Sequence, residues 1–160
     1  MLAAVFGDTL WDILKSVHVL CAALWVGGNF TLNVAINLAY RSRDPGRQSV
    51  ILHTTEVIGQ RIFIPLGLTV VAVGVWLVLR YDSVYDFGDF WVSYGLMAFI
   101  VTFLVGAGFL GPRSGKVAAA IDAGEDQRTI SATSLPLRVV AALDALLLWS
   151  VVVVMVVRPT

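Results

Sequence analysis

Cysteine and charge are both scarce in this sequence. Its 160 residues include a single cysteine, Cys21, so the chain can form no internal disulfide and contains no CxxC metal or redox motif. Charged residues make up 14% of the chain, against about 25% in a typical soluble domain. The formal net charge is zero and no long block of like charge occurs, which excludes nucleic acid as an expected partner.

The residue patterns on which most enzymes depend are also missing. The sequence shows no nucleophile with a plausible base, no glycine-rich phosphate loop and no pair of carboxylates placed for acid–base catalysis. We therefore expect the chain to be non-catalytic unless a cofactor supplies the chemistry.

Long apolar stretches dominate what the sequence does contain. Hydrophobic residues make up 58% of the chain and the mean hydropathy is +0.85. Crossing a hydrocarbon core of about 30 Å takes roughly 20 apolar residues. Four stretches have that length, at about 17–40, 62–79, 91–110 and 137–157. The sequence therefore predicts an all-α membrane protein, an antiparallel bundle of four transmembrane helices in a single domain over residues 1–160.

Turn and capping residues set the predicted helix limits. Asp8 or Thr9 can cap the first helix, and Asp44-Pro45-Gly46 is a turn signal after it. Ser134 can cap the last helix, with Pro136 in its first turn. The predicted helices lie at about 9–40, 48–80, 90–123 and 134–158.

The basic residues are distributed unevenly over the predicted connections. Lys15, Arg80 and Arg158 fall on the side that also carries an acidic, aromatic loop at 81–90. Because basic residues are enriched on the cytoplasmic side, we expect both termini and this loop outside, an N-out/C-out topology. The other basic residues surround the first and third connections: Arg41, Arg43, Arg47, Arg61, Arg113, Lys116, Arg128 and Arg138.

A polar stripe runs down the first predicted helix. Trp25, Asn29, Asn33 and Asn37 follow Cys21 at intervals of four residues, which places them along one helical face. A buried amide without partners costs about 2–7 kcal/mol, so this face needs contacts from other helices, water or another protein. We predict an association surface, either internal to the bundle or used by a foreign subunit, formed by Trp25, Gly27, Gly28, Asn29 and Asn33.

His18 and Lys15 are the candidate cofactor-binding residues. An imidazole at that depth can be an axial haem ligand or a copper ligand, although a structural role is the more common one. His53 is predicted on the opposite side of the membrane, so the two histidines are not expected to hold one haem. Met97 and Met155 are soft side chains that ordinarily pack in apolar helices.

Asp144 is an ionisable residue inside an apolar stretch, where a charge costs about 2.5–3.5 kcal/mol on insertion scales and usually has a partner. Arg138 lies nearly two turns away on the same predicted helix. We therefore predict an ion pair between Arg61 and Asp144 that fixes the second helix against the last. A proton or ion path through Asp144 is the alternative.

Several segments together resemble a known family. Lys15-x-x-His18 followed by Trp25-Val26-Gly27-Gly28 is similar to the opening of the bacterial integral-membrane family called domain of unknown function 2269. The resemblance covers nearly the whole chain and implies a four-helix protein of the bacterial inner membrane, without implying an activity. It continues through Gly59-Gln60-Arg61-Ile62-Phe63-Ile64-Pro65, Gly74-Val75-Trp76-Leu77 and Leu110-Gly111-Pro112.

The first helix alone also resembles the copper-resistance D proteins and the membrane protoporphyrinogen oxidases of the haem pathway, which have the same K-x-x-H pattern and a following Trp. This likeness implies that Lys15 and His18 are a functional pair. It ends at residues 29–39, NFTLNVAINLA, where the oxidases have an L-P-R-L-F-V-Y-H run with a second histidine.

These observations favour a non-catalytic accessory or scaffolding subunit of a larger complex in the bacterial cytoplasmic membrane. The expected host is a multi-subunit transporter, for instance a lipid importer of the mammalian-cell-entry type, or a respiratory complex. Other integral membrane subunits and lipids are the expected partners, and no cofactor is expected. The alternatives are a haem- or copper-binding oxidoreductase that uses His18, and a small proton-coupled carrier built around the asparagines and Asp144.

Overall fold

Four long helical rods, two of them interrupted by a π-helical turn, make up the described part of the chain. The computed structural model describes residues 2–80 and 86–159, so half of the predicted acidic loop, residues 81–85, lies outside the described residues. The helices are α1 (Leu2–Ser42), α2 (Pro45–Ile58), α3 (Ile64–Arg80), α4 (Phe90–Val105), α5 (Gly111–Asp122) and α6 (Gln127–Val157). A π-helical turn joins α2 to α3 at Gly59–Phe63, and another joins α4 to α5 at Gly106–Leu110.

The prediction of an all-α, four-helix membrane protein is confirmed. Each rod is long and apolar enough to cross a membrane, and the described residues contain no strand. Large apolar side chains on the outer surface, such as Leu24, Leu146 and Val156, are exposed, which suits contact with lipid. The N-out/C-out orientation stays a prediction. The candidate spans are Thr9–Ser42, Pro45–Arg80, Phe90–Asp122 and Arg128–Val157.

The starts of three helices differ from those predicted. Asp44 caps α2 by accepting hydrogen bonds from the Gly46 and Arg47 amides at 3.0 and 3.3 Å, so the predicted turn is itself a helix start. Pro45 fits there because the first turn of a helix does not use its amide donors. The chain reverses instead at Arg43, whose φ is 54°.

The predicted cap of the last helix at Ser134 is wrong. α6 begins a full two turns earlier, because the Asp126 carboxylate accepts a hydrogen bond from the Thr129 amide at 2.7 Å. Hydrogen bonds from Thr129 also hold the pKa of Asp126 below its usual value. Ser134 is buried inside α6, where its hydroxyl donates to the Ser131 carbonyl, and Pro136 lies within the helix. Asp8 and Thr9 likewise lie inside α1, not at its start.

The bundle has two dissimilar halves. The connector half contains the end of α1, α2, α5 and the start of α6, with α2 packed along α5. The terminal half contains the start of α1, α3, α4 and the end of α6, with α1 against α3 and α4 against α6. The main buried cluster lies in the connector half and consists of Leu52, Val117, Ala118, Ile121, Ile130 and Leu137.

Candidate functional site

The asparagine stripe of α1 faces α6. The Asn29 Nδ2 donates to Oδ2 of Asp144 at 3.1 Å, and this contact is buried. The Asn33 Nδ2 in turn donates to both the backbone oxygen and Oδ1 of Asn29, each at 3.0 Å. Each amide is therefore satisfied by the next, as buried polar groups require.

The same network continues one turn further along α1. The Asn37 Nδ2 donates to the Asn33 carbonyl at 2.9 Å, and its Oδ1 accepts from Nε and Nη2 of Arg138 at 3.2 and 2.7 Å. The Arg138 guanidinium also lies over the Tyr40 ring, 5.1 Å from its centroid. Three asparagines thus connect the carboxylate of Asp144 to the guanidinium of Arg138, although these two charged groups lie nearly two turns apart on α6.

The predicted ion pair between Arg61 and Asp144 is wrong. Among the described residues neither side chain forms an ion pair with the other, and Arg61 is exposed. Arg61 lies in the first π turn, which adds one residue to a helical turn and rotates the faces that follow. Asn29 takes the contact with Asp144 that was predicted for Arg61.

The predicted association surface divides between two sides of α1. Trp25, Asn29 and Gly28 face the interior, and a side chain at Gly28 would meet the Phe63 ring, with Cβ 2.9 Å from Cε1. Gly27 faces outward, and nothing lies within 4 Å of the position of a Cβ atom there. The two adjacent glycines therefore serve different surfaces.

His18 lies in the wall of a large cavity in the terminal half. This cavity, called here the terminal cavity, has a volume of about 710 Å³ and is lined by α1, α3, α4 and α6. The His18 Nδ1 lies 2.8 Å from the Val70 carbonyl oxygen. A carbonyl can only accept, so Nδ1 carries the proton and donates it, and Nε2 of the neutral ring keeps its lone pair. The imidazole fits because Gly74 has no side chain; a Cβ there would lie 2.9 Å from His18 Cε1.

Lys15 and the other soft or basic side chains considered in the sequence lie at different places in the structure. Lys15 lines the terminal cavity, with its Nζ 4.5 Å from the centroid of the Trp11 ring. Met155 also lines it and packs its methyl group against Gly95, whereas Met97 is 61% exposed on the outer surface. His53 lies at the other end of the bundle, so the two histidines are apart.

His53 belongs to a small polar cluster that the sequence did not reveal. Its Nε2 donates to Oδ2 of Asp122 at 3.0 Å, and the Ser49 hydroxyl donates to Oδ1 of the same carboxylate at 2.6 Å. These contacts tie α2 to α5 at the edge of the connector half. No sequence spacing signals them, because they join residues about 70 positions apart.

A second, smaller cavity lies between the two π turns. This cavity, called here the central cavity, has a volume of about 70 Å³ and is lined by Asp144, Asn29 and Ser114 among others. Oδ1 of Asp144 and Oγ of Ser114 are buried and have no hydrogen-bond partner. Ser114 was not among the residues predicted from the sequence. The signal for this cavity was the pair of glycines, Gly59 and Gly106, at which the two π turns begin.

The described part of the chain contains single potential metal ligands but no group of them that could bind a metal ion. Within residues 2–80 and 86–159, no three His, Cys, Asp or Glu side chains come together so that they could hold a metal ion. Cys21 is a free thiol, partly buried on α1. Among the described residues, His18 is the one histidine in the wall of the terminal cavity, and Asp144 is the one carboxylate in the wall of the central cavity.

The four apolar rods of the described residues, with the two cavities between them, define an integral membrane protein built as a four-helix bundle. The chain belongs to the family of predicted integral membrane proteins DUF2269, whose sequence model matches residues 12–159. No curated protein and no solved structure matches the chain.

Proposed function

We propose that this protein is a non-catalytic subunit of a larger complex in the bacterial cytoplasmic membrane, either a multi-subunit transporter or a respiratory complex. The observation that carries the proposal is an outward face of α1 made of small residues. Ala23, Gly27 and Thr31 recur at intervals of four and are all exposed. These three residues are called here the Gly27 face. The Thr31 hydroxyl donates to the Gly27 carbonyl at 2.8 Å, so this face presents no unsatisfied polar group.

Small residues at this spacing allow a partner helix to pack closely against α1. Two lipid-facing helices gain nothing from apolar burial, since lipid is equally apolar, and they associate where backbones can pack closely. The open space at Gly27 permits such an approach. The asparagine stripe is already used between α1 and α6, which leaves the Gly27 face as the surface of α1 for a foreign subunit.

The adjacent glycines provide a matched test. Tagged protein is purified gently from its native membrane, and the co-purifying chains are identified for wild type, Gly27→Leu and Gly28→Leu. We expect Gly27→Leu to keep the thermal stability of the isolated protein and to lose its partners. Gly28→Leu should instead lose stability, because the new side chain meets Phe63 inside the bundle. Recovery of the same partners in the same amounts with Gly27→Leu would contradict the proposal.

A second candidate function, a haem-binding subunit in electron transfer, is favoured by the terminal cavity. Its volume of about 710 Å³ lies within the range of about 300–1,000 Å³ typical of cofactor and ligand sites. Metal-ligating histidines usually donate their other ring nitrogen to a carbonyl or carboxylate, which is the arrangement of His18 with Val70.

The residues present fit haem better than copper. A porphyrin supplies most of the iron ligands itself, so one axial histidine is enough, whereas a copper site needs several protein ligands that this cavity does not bring together among the described residues. His18 would hold the iron through Nε2, and Met155 lines the same cavity. Lys15, also in its wall, would provide positive charge for the haem carboxylates. Haem would supply one-electron redox chemistry when bound.

The absorbance spectrum of the purified protein tests this second function. A Soret band in wild type that disappears in His18→Ala and persists in Met97→Leu would support it. Met97 is the control because it lies on the exposed surface. A wild-type protein without a Soret band, produced in a haem-replete cell, would rule the haem function out and leave the subunit proposal unaffected.

A further inference from the structure

The central cavity has the size of an ion site. Its volume of about 70 Å³ exceeds the roughly 10–15 Å³ that one water needs on the same measure. It is far below the about 300 Å³ at which organic ligand sites begin. Both π turns, Gly59–Phe63 and Gly106–Leu110, contribute to its wall, and π turns inside α-helices occur frequently at functional sites.

Two buried polar atoms in the wall of this cavity have no protein partner. Asp144 is 6% exposed and Ser114 is 0% exposed, and neither Oδ1 of Asp144 nor Oγ of Ser114 has a hydrogen-bond partner. Leaving such groups unpaired in an apolar interior is costly, most of all for a carboxylate. An occupant of the cavity that contacts both atoms removes this cost.

Two threonines in the wall of the cavity also favour a positive occupant. The hydroxyls of Thr102 and Thr55 each donate to a carbonyl of their own helix, Phe99 at 3.1 Å and Ile51 at 2.8 Å. Their single protons are used in those bonds, so both oxygens can only accept or coordinate. Both threonines line the central cavity, and its wall therefore combines one carboxylate with neutral oxygen acceptors.

No basic side chain supplies the positive charge. The lining includes no Lys, Arg or His, and Asp144 is its one titratable residue. On α6, Arg138 is held by Asn37. On the elements packed around the cavity, Arg61 is exposed, Glu56 packs against Gly115, and Arg113 lies 5.6 Å from the centroid of the Phe109 ring.

We propose that the central cavity is a monovalent-cation site in which the Asp144 carboxylate is the charged ligand and Ser114 Oγ a neutral ligand. Hard oxygen ligands suit Na⁺, whereas Ca²⁺ and Mg²⁺ sites generally use more charge or more water. A protonated carboxyl group with a water molecule in the cavity has the same net charge as a carboxylate with bound Na⁺. The cation that neutralises Asp144 is therefore either Na⁺ or H⁺. This inference concerns a different site from the Gly27 face and from His18 and does not depend on either.

Thermal unfolding of the purified protein in detergent tests the site with Na⁺ itself as the probe. NaCl is compared with choline chloride at equal ionic strength. A cation that binds only the folded state raises Tm by about 3–5 °C for each tenfold increase in concentration above its Kd. We expect this rise in wild type with Na⁺, its absence with choline, and its loss in Asp144→Asn. Asp126→Asn is the matched control, because it removes an exposed carboxylate from the same helix and should keep the full rise.

A pH series in sodium-free buffer distinguishes the two sources. If the site takes a proton, acidification should raise the Tm of wild type relative to Asp144→Asn, which keeps His18, His53 and Asp126 and so their contributions. Equal responses of wild type and Asp144→Asn to both Na⁺ and pH would overturn the proposal.

Ser114→Ala covers the case in which Asp144→Asn does not fold. It removes a hydroxyl without a partner, so the protein should remain folded. We expect the midpoint of the Na⁺ response, or of the pH response if the proton is the occupant, to shift several-fold in the direction of weaker binding. An unchanged midpoint would show that Ser114 is not a ligand and that the central cavity is not the cation site.

Discussion

The connector half and the terminal half are built from similar apolar residues, but they are filled to different extents. In the connector half, Leu52 and Val117 are 1% and 0% exposed within one continuous cluster. In the terminal half, the main cavity has a volume of about 710 Å³, and the buried residues fall into two smaller clusters, one of Trp25, Val26 and Leu148 and one of Val78 and Val92. Packing in this protein is therefore concentrated at one end.

Glycines explain part of this difference. In the connector half, Gly115 of α5 lies against the Glu56 carboxylate of α2, so that the two helices approach closely. In the terminal half, the spaces beside Gly74 and Gly95 are taken by His18 and the methyl group of Met155. Glycines thus allow close helix packing at one end of the bundle and make room for cavity-lining side chains at the other. From this comparison we expect core packing to stabilise the connector half more than the terminal half.

The largest expected effect comes from the same substitution made in each half. Leu52→Ala removes a side chain from the filled cluster and should destabilise the protein by about 2–5 kcal/mol. Leu96→Ala, in the wall of the terminal cavity, should cost clearly less, because the removed atoms already border open space. Unfolding titrations in detergent measure both. Equal losses would show that the two halves do not differ in packing.

A smaller effect is expected at the polar end of the α1–α6 interface. Asn37→Leu removes the acceptor of both hydrogen bonds from Arg138 and should cost about 1.5–3 kcal/mol, the range for hydrogen bonds to charged groups. Thr31→Val, on the exposed face of the same helix, should stay within about 0.5 kcal/mol of wild type. Thermal melts of the two variants give the difference, and comparable stabilities would mean that Arg138 readily finds another partner.

The smallest effect on stability, and the sharpest on the terminal cavity, is expected for Gly74→Ala. The new methyl group would lie 2.9 Å from His18 Cε1, so the imidazole must move away from Val70. Loss of that hydrogen bond costs about 1 kcal/mol and is partly offset by the higher helix propensity of alanine. If His18 binds haem, the Soret band should weaken or shift in Gly74→Ala and stay unchanged in Gly59→Ala, where a Cβ has open space. An unaltered band in Gly74→Ala would argue against the His18 geometry described above.

Local signals in the sequence predicted some features well and others poorly. The lengths of the apolar stretches predicted four rods, because each crossing is determined by its own composition. Ser134 was a plausible cap with Pro136 after it, but Asp126 offers a carboxylate acceptor earlier in the chain, and the helix starts there. A serine and an aspartate are both good caps, so capping preference alone could not choose between them.

The contacts at the candidate sites were even harder to predict from local sequence signals. The spacing of Asn29, Asn33 and Asn37 indicated a polar face with partners, but it could not identify those partners. The pairing of Arg61 with Asp144 failed because Asn29 of α1 takes the contact with Asp144 and Arg61 is exposed. The unpartnered oxygen of Ser114 could not be expected at all, since it depends on a cavity formed between several helices.

Hydrophobicity and helical period are properties of each segment alone, so they were enough to predict a four-helix membrane protein with polar residues inside its first helix. The contacts between helices were not predictable in this way: Gly28 faces Phe63 while Gly27 faces outward, Asn29 rather than Arg61 contacts Asp144, and His18 and Asp144 line different cavities. These contacts depend on which helices meet. In lipid, helix association is governed by such close packing and not by apolar burial, so hydrophobicity along the chain carries little information about it.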